Sequence, residues 1–328
     1  MNNEMTKNPA EEAVHPALAQ TRALIAEVEK VIVGKHTEVV LLVTALLAGG
    51  HVLIEDVPGV GKTSLASTLA KAAGLDFRRA QFTPDVMASD ITGFNIYNRS
   101  SEQFEFREGL VMTNILLADE INRASPKTQS SLLEAMEENR VSVDGVSYSV
   151  PDPFMVIATQ NPSGYVGTYP LPEAQLDRFA IRISMGYPTE AEEISILSGR
   201  RGKNPLESVR PVTDVDTIRE IRAVVAQVKI DEAVCRYIVN LVQATRNNRS
   251  LSLGASPRAS IMLMKLSQAY AFLRGRDYVI PDDAAFMYAP AVAHRLLFSQ
   301  EARLNRASAK DILSEILRSA PVPYKGAR

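Results

Sequence analysis

The apolar run His51-Val-Leu-Ile-Glu55 leads into Pro58-Gly59-Val60-Gly61-Lys62-Thr63-Ser64, and a helical pattern carrying Leu65 and Leu69 then runs to Gly74. No other stretch of the 328 residues restricts the fold as strongly. A strand that passes through glycines directly into a helix opens a β-α-β unit, which calls for a parallel sheet with helices packed on it. Gly59 and Gly61 permit backbone conformations and close approaches that a Cβ would block. The first N–H groups of the following helix are left facing outward, where the helix dipole and hydrogen bonding together favour a phosphate.

In such a loop Lys62 would reach β- and γ-phosphates, and the Thr63 hydroxyl would ligate Mg²⁺. Pro58 to Ser64 is therefore the candidate nucleotide-binding segment. The strict pattern asks for glycine at position 56, where this chain has Asp56. A carboxylate so near phosphates has to point away from them, and the sequence leaves open how the first turn forms. A second segment, Leu116-Leu-Ala-Asp119-Glu120, ends an apolar run on two carboxylates. Asp119 there would hold a water of the Mg²⁺ shell, while Glu120 would polarise an attacking water. Together the two segments imply hydrolysis of a nucleoside triphosphate.

Further strands are expected at Phe77–Phe82, Ile115–Ala118, Met155–Ala158 and Phe179–Ser184, with helices between several of them. Helices are expected over Ala17–Lys30, over Thr37–Ala48 with a glycine C-terminal cap at Gly49-Gly50, and over Pro126–Glu138 with Ser125 as its cap. Two segments break the alternation. Gly93–Tyr97 and Gln103–Phe106 flank a polar turn, and Val141 to Val150 alternates around Asp144-Gly145, a hairpin signal. Both read as β-hairpins inserted into the sheet. From Tyr187-Pro188 onward the pattern is purely helical, with Ile218, Ile221, Val225 and Val228, and again Leu263, Leu266, Tyr270 and Leu273, on single faces. Asp231 and Ser256 read as helix caps, and Pro281 and Pro290 break up the last third. Gly199–Ser208 reads as a connector. The expected organisation is a flexible tail (1–16), an α/β unit (17–187), a connector (188–208) and a smaller all-α unit (209–328).

The balance of 46% hydrophobic and 23% charged residues is that of a soluble globular protein. A net charge of −2 gives no overall attraction to nucleic acid or anionic lipid. The lone Cys235 excludes an internal disulfide and a cysteine-based zinc site, and reads as a packed helix position. The four histidines lack metal-ligand spacing. No run approaches the ~20 apolar residues of a membrane span. Met1 to Glu12 lacks the order of a signal peptide, so a cytoplasmic location is expected.

Three more polar residues invite a role. Asn161 ends the strand Ile157-Ala-Thr-Gln-Asn161, where an amide can orient the attacking water or simply form an Asn-Pro turn. Arg178 in Leu176-Asp-Arg-Phe179 and Arg258 in Gly254-Ala-Ser-Pro-Arg258 each fit a cation aimed at a neighbour's γ-phosphate or an ordinary surface ion pair.

Five sequence words resemble the MoxR family of AAA+ ATPases, over about residues 15 to 320. They are Ile54-Glu-Asp-Val-Pro-Gly-Val-Gly-Lys-Thr63, Gln81-Phe-Thr-Pro-Asp85, Leu117-Ala-Asp-Glu-Ile-Asn-Arg-Ala124, Ala158-Thr-Gln-Asn-Pro162 and Tyr169-Pro-Leu-Pro-Glu-Ala-Gln-Leu-Asp-Arg-Phe179. The resemblance implies a five-stranded parallel sheet of order 5-1-4-3-2 with two hairpin insertions, then a helical lid. It also implies a hexameric ring with ATP and Mg²⁺ between subunits. It makes Asn161 the sensor-1 residue, Arg178 the arginine finger and Arg258 the sensor-2 arginine, in cis or in trans. Val33-Gly34 resembles the segment that meets adenine, with Lys35 in place of the commoner Gln. Arg123 would reach the next subunit, and the hairpins would face a central channel.

Two functions compete on this reading. One is a chaperone-like ATPase that remodels or activates a client, for instance by inserting a metal cofactor, with a partner bearing a von Willebrand A domain and its metal-ion adhesion site. The other is a nucleic-acid motor of the helicase kind. The second hairpin carries Asp144 and no lysine, which disfavours tracking along phosphates. A GTP switch lacks its Asn-Lys-x-Asp motif.

Overall fold

The computed structural model describes residues 16–160, 168–199 and 204–323. Five parallel strands form the central sheet: β1 (Val52–Glu55), β2 (Phe77–Gln81), β5 (Ile115–Asp119), β8 (Met155–Gln160) and β9 (Ile181–Ile183), in the order β2-β5-β8-β1-β9. Counting only these strands in chain order, the sheet is 5-1-4-3-2, as expected. The register pairs Val52 with Ile157 on one side and Ile181 on the other.

Side chains alternate across a strand, and here both faces are buried. Ile54, Ile115, Leu117, Ile157 and Ile181 face one core with α1 (Pro16–Glu29), α2 (His36–Leu47) and α3 (Lys62–Ala73). Leu53, Leu116, Ala118, Val156 and Ala158 face the other, under α4 (Ala88–Thr92) and α5 (Pro126–Glu138). Local signals explain the helix ends. Gly49 and Gly74 take left-handed conformations after α2 and α3. Ser125 Oγ accepts from Thr128 N at 3.3 Å, and Pro126 occupies the first turn of α5.

The two insertions are hairpins. β3 (Gly93–Asn98) pairs with β4 (Gln103–Glu108), and β6 (Arg140–Val143) with β7 (Val146–Ser149). They also touch each other: Phe106 stacks on Tyr148 at 3.8 Å between centroids, and Asn95 Nδ2 donates to Asp144 Oδ2 at 2.8 Å.

The last sheet strand is shorter than the expected Phe179–Ser184, because Phe179 N closes a turn onto Leu176 O after α6 (Glu173–Leu176). The connector region is not free of structure: α7 (Glu190–Gly199) and α8 (Pro205–Ser208) occupy much of it. Beyond it lie α9 (Val215–Ala226), α10 (Glu232–Arg246), α11 (Pro257–Leu273), α12 (Pro281–Val292), α13 (Gln300–Leu304) and α14 (Ala309–Ser319). A small antiparallel pair, β10 (Leu251–Leu253) with β11 (Leu297–Phe298), interrupts the expected helical run.

Pro290 does not break a helix; it sits inside α12, two residues before its end. Asp231 caps α10 by accepting from Ala233 N at 2.8 Å. Ser256 occupies the N-cap position of α11, but its hydroxyl makes no cap and donates instead to Asp177 Oδ2 at 2.8 Å. Cys235 is only half buried on α10. Among the described residues no helix is long and apolar enough to cross a membrane.

Candidate functional site

The C-terminal ends of β1, β5 and β8 lie side by side at the carboxyl edge of the sheet, where the strand order reverses beside β1. Such a switch point is where open α/β sheets bind ligands. Gly59 and Gly61 have φ of 89° and 95°, and Gly61 ends the loop as the N-cap of α3 without any side-chain cap. The first turn of α3 contains no acidic residue, so its N–H groups and positive dipole end are left for an anion. Lys62 is buried, with Nζ donating to the Asp56 carbonyl at 2.8 Å. Burial pulls its ammonium below the usual lysine range, against the attraction of Asp56, Asp119 and Glu120. Lys62 and the acidic pair therefore share one electrostatic environment.

Asp56 answers the question the sequence left open. Its Oδ2 accepts from Met185 N at 2.6 Å, Gly186 N at 2.7 Å and Ser184 Oγ at 3.1 Å, and its Oδ1 accepts from Val57 N at 2.8 Å. The carboxylate turns away from the loop's concave side and ties the loop to the segment after β9. Burial alone would raise its pKa, but the hydrogen bonds from Gly186, Val57, Ser184 and Met185 outweigh that and hold the carboxyl below its ordinary value.

A cavity of about 1260 Å³ opens beside the loop. Val60, Gly61, Thr63 and Ser64 form its floor; Val33 and Lys35 close one side, and Ser195 and Ile196 of α7 another. Gly34, with φ of 74°, packs so closely on α7 that a Cβ would fall on the Glu192 side chain. Lys35 Nζ donates to Tyr187 O at 3.3 Å, fastening the same two segments together. Pro58 and Gly59 are exposed at the crest of the loop. Sequence reasoning missed α7 as a wall, since its solvent-facing Ile194 and Leu197 carry no binding signature.

At the tip of β5, Asp119 Oδ1 accepts from Thr159 Oγ1 at 2.6 Å, and Thr159 Oγ1 accepts from Glu120 N at 2.8 Å. One hydroxyl on β8 thus fixes both acidic residues. Thr159 lay within a family word but drew no attention beside Asn161. Glu120 has φ of 56°, an uncommon left-handed conformation outside glycine, Asn and Asp. Arg79 reaches Asp119 Oδ2 at 2.8 Å, and Arg123 turns to its own Glu120 Oε2 at 2.8 Å. Both arginines are nearly half exposed, so displacing either pair costs at most about 1 kcal/mol. Asn161 lies outside the described residues.

Arg178 and Arg258 do not join this group. Arg178 Nε pairs with Glu137 Oε2 at 3.0 Å, and Arg258 pairs with Glu137 Oε1. Glu137 closes α5 beside Met136, whose carbonyl meets His51 Nε2 at 3.1 Å just before β1 begins. Ala180 N donates to His51 O at 2.8 Å just before β9 begins. Both arginines therefore sit at the amino edge of the sheet, and the loop with Lys62 sits at the carboxyl edge.

A family model described as the ATPase family associated with various cellular activities (AAA) matches residues 51–181, and an AAA lid domain matches residues 243–316. The uncharacterized protein YeaC of Bacillus subtilis is 50% identical over 315 residues, covering 96% of this chain and 98% of that protein. Chaperone MoxR1 of Mycobacterium tuberculosis is 40% identical over 312 residues, covering 92% of this chain and 82% of that one. A crystal structure of a protein from Cytophaga hutchinsonii assigned as an ATPase matches at a TM-score of 0.87 with 38% identity, covering 93% and 96% of the two chains. Sheet order, glycine-rich loop, acidic pair and these relatives agree, and the chain belongs to the MoxR family of AAA+ ATPases.

Proposed function

We propose that this protein hydrolyses Mg·ATP at the boundaries between copies of itself in a hexameric ring, and that the cycle remodels or activates a client protein. The observation that carries the shared-site reading is the separation of Lys62 and Arg178 across the sheet. β1 alone has four residues, which rise about 13 Å at ~3.3 Å each. A guanidinium fixed at the amino edge serves a triphosphate at the carboxyl edge of a neighbouring copy more readily than its own.

The residues present fit the implied ligands. The uncapped start of α3, the cavity and the desolvated Lys62 suit a triphosphate, with Val33 and Gly34 beside the base and Pro58 to Ser64 around the phosphates. Among the described residues no cluster of three or more His, Cys, Asp or Glu side chains could hold a metal by itself. Thr63 and Asp119 supply hard oxygen donors suited to a Mg²⁺ that takes its other ligands from phosphate and water. When bound, that ion neutralises charge on the phosphates. Glu120 would orient and polarise the attacking water once Arg123 releases it, and Asn161 would help to orient that water. Arg178 and Arg258 would stabilise charge on the neighbour's γ-phosphate. The division into an ATP-binding unit (17–187), a connector (188–208) and a lid (209–328) belongs to the same proposal. So do a cytoplasmic setting and a partner with a von Willebrand A domain, and metal-cofactor insertion is the example of client work we favour.

A nucleic-acid motor is not favoured. Arg140 of the second hairpin is paired with Glu138, and Asp144 is held by Asn95, so that hairpin offers no free row of cations. The test is the Arg178→Ala protein. It is expected to assemble and bind ATP, with turnover reduced ~1,000-fold or more, the order lost with an arginine supplied in trans. Full turnover by that variant, or wild-type specific activity that survives dilution to single copies, would refute the shared site. A pull-down with Glu120→Gln in ATP identifies the client.

A further inference from the structure

We infer that Asp177 is a positioning residue that sets Arg178 and Arg258 as one unit for the neighbouring site. The inference rests on the shared-site reading above and adds to it the device that aims both cations.

Asp177 immediately precedes Arg178, at the end of α6. Its carboxylate is divided between two elements of the helical region. Oδ1 accepts from Arg295 Nε at 2.7 Å, and Oδ2 accepts from Ser256 Oγ at 2.8 Å. Arg295 does more than neutralise it: Nη2 donates to Asp177 O at 3.0 Å and to Phe179 O at 2.7 Å, so one side chain brackets the backbone on either side of Arg178. His294 Nε2 meets the same Phe179 carbonyl at 3.0 Å. The Arg295 side chain is 2% exposed.

Ser256 carries the second half of the argument. It stands where α11 needs a cap, yet its hydroxyl is given to Asp177, and Arg258 lies two residues further along. The Asp177 carboxylate therefore fixes the root of Arg258 as well as that of Arg178. At the other end Glu137 gathers both guanidinium groups. Two carboxylates hold two arginines, one by their backbones and one by their heads. Replacing a buried ion pair with apolar residues often leaves stability unchanged or raises it, so stability alone does not account for burying Arg295 against Asp177. Aiming two adjacent cations does account for it.

The test is complementation between damaged copies. Asp177→Asn keeps the shape and loses the charge; it is expected to assemble and bind ATP normally, with turnover down about tenfold or more. Co-assembled from one cell with Lys62→Ala, which has an empty loop and intact arginines, it should recover activity. Random mixing leaves one interface in four with a good loop facing good arginines, or roughly a quarter of wild-type activity. Co-assembly with Arg178→Ala should recover none, because both lesions lie on the same side, and adding Asp177→Asn to the Arg178→Ala/Arg258→Ala double variant should slow it no further. A purely structural defect would lower ATP binding and assembly and would not sort by side. Ser256→Ala leaves the buried pair intact, so it reads the same role if Asp177→Asn fails to fold; a several-fold loss, complemented in the same way, is expected.

Normal turnover in Ser256→Ala together with normal turnover or unfolding in Asp177→Asn overturns the inference, as does failure of the impaired variants to be complemented. Arg178→Ala mixed with Lys62→Ala is the control. If that pair does not recover, the shared-site reading itself is wrong; if it recovers and the Asp177 and Ser256 variants do not follow it, only this inference falls.

Discussion

Replacing Asp56 with glycine would restore the strict phosphate-loop pattern, and the structure says that it should damage the protein. The carboxylate accepts four hydrogen bonds, three of them on Oδ2 from Ser184, Met185 and Gly186. Met185 is buried, so losing its acceptor costs about 1–3 kcal/mol for the orphaned N–H. The Val57 and Gly186 N–H groups are partly exposed and can turn to water, at about 0.5–1.5 kcal/mol each. Asp56→Ala should therefore lose about 2–6 kcal/mol, a large part of the ~5–15 kcal/mol that holds most proteins folded. Asp56→Gly should lose somewhat more through backbone entropy.

The chain has no tryptophan, so far-UV circular dichroism in urea is the practical measurement. Affinity for a fluorescent ATP analogue should weaken in parallel, because Met185 also lines the cavity. The sign with pH follows from the depressed pKa of Asp56. Its contribution is complete above the unfolded value near 3.9 and is lost as pH falls through the lower folded value. Asp56→Gly with wild-type stability and tighter nucleotide binding would refute the reasoning.

Thr159→Val keeps the shape of a buried side chain while leaving Glu120 N without its acceptor and Asp119 Oδ1 without the Thr159 donor; steady-state ATPase assays should find kcat down tenfold or more and KM changed less than about threefold, the pattern of a loss felt in the transition state. His51 is buried, with Nε2 placed to donate to Met136 O and Nδ1 to accept from Val156 N, an arrangement that only the neutral ring satisfies. Burial lowers its pKa from 6.5 to about 4, so its contribution is present above pH 6.5 and is lost as pH falls to about 4, a total of ~3 kcal/mol. Urea midpoints across that range should fall with pH, and His51→Gln should flatten the slope. Tyr148→Ala removes the stack on Phe106, worth about 0.5–1.5 kcal/mol. Amide exchange in Gly93–Glu108 should then quicken by up to about tenfold while far-UV circular dichroism stays unchanged.

The elements that depend on neighbours in the chain were legible from residues alone. Short apolar runs marked most of the sheet strands, alternation around Asp144-Gly145 marked the second hairpin, and Ser125-Pro126 marked the start of α5. The loop from Pro58 to Ser64 and the Asp119-Glu120 pair carry their chemistry in consecutive residues, and the structure brings them to one edge. Helix caps marked the limit of that legibility. Asp231 and Ser256 looked alike, yet only Asp231 caps its helix, because Asp177 competes for the Ser256 hydroxyl across 79 positions.

Sequence by itself determined the class of protein, the order of its strands and helices, and which short words are the candidates to meet phosphate and water. Those features follow from backbone preference and side-chain periodicity, which act over a few residues. Tertiary structure decided where each charge found its partner: Asp56 on the segment after β9, Arg178 and Arg258 on Glu137, and Arg295 on Asp177. A carboxylate can accept from any donor that the fold brings within about 3 Å, so its partner is a property of the packed chain and not of its neighbours in sequence.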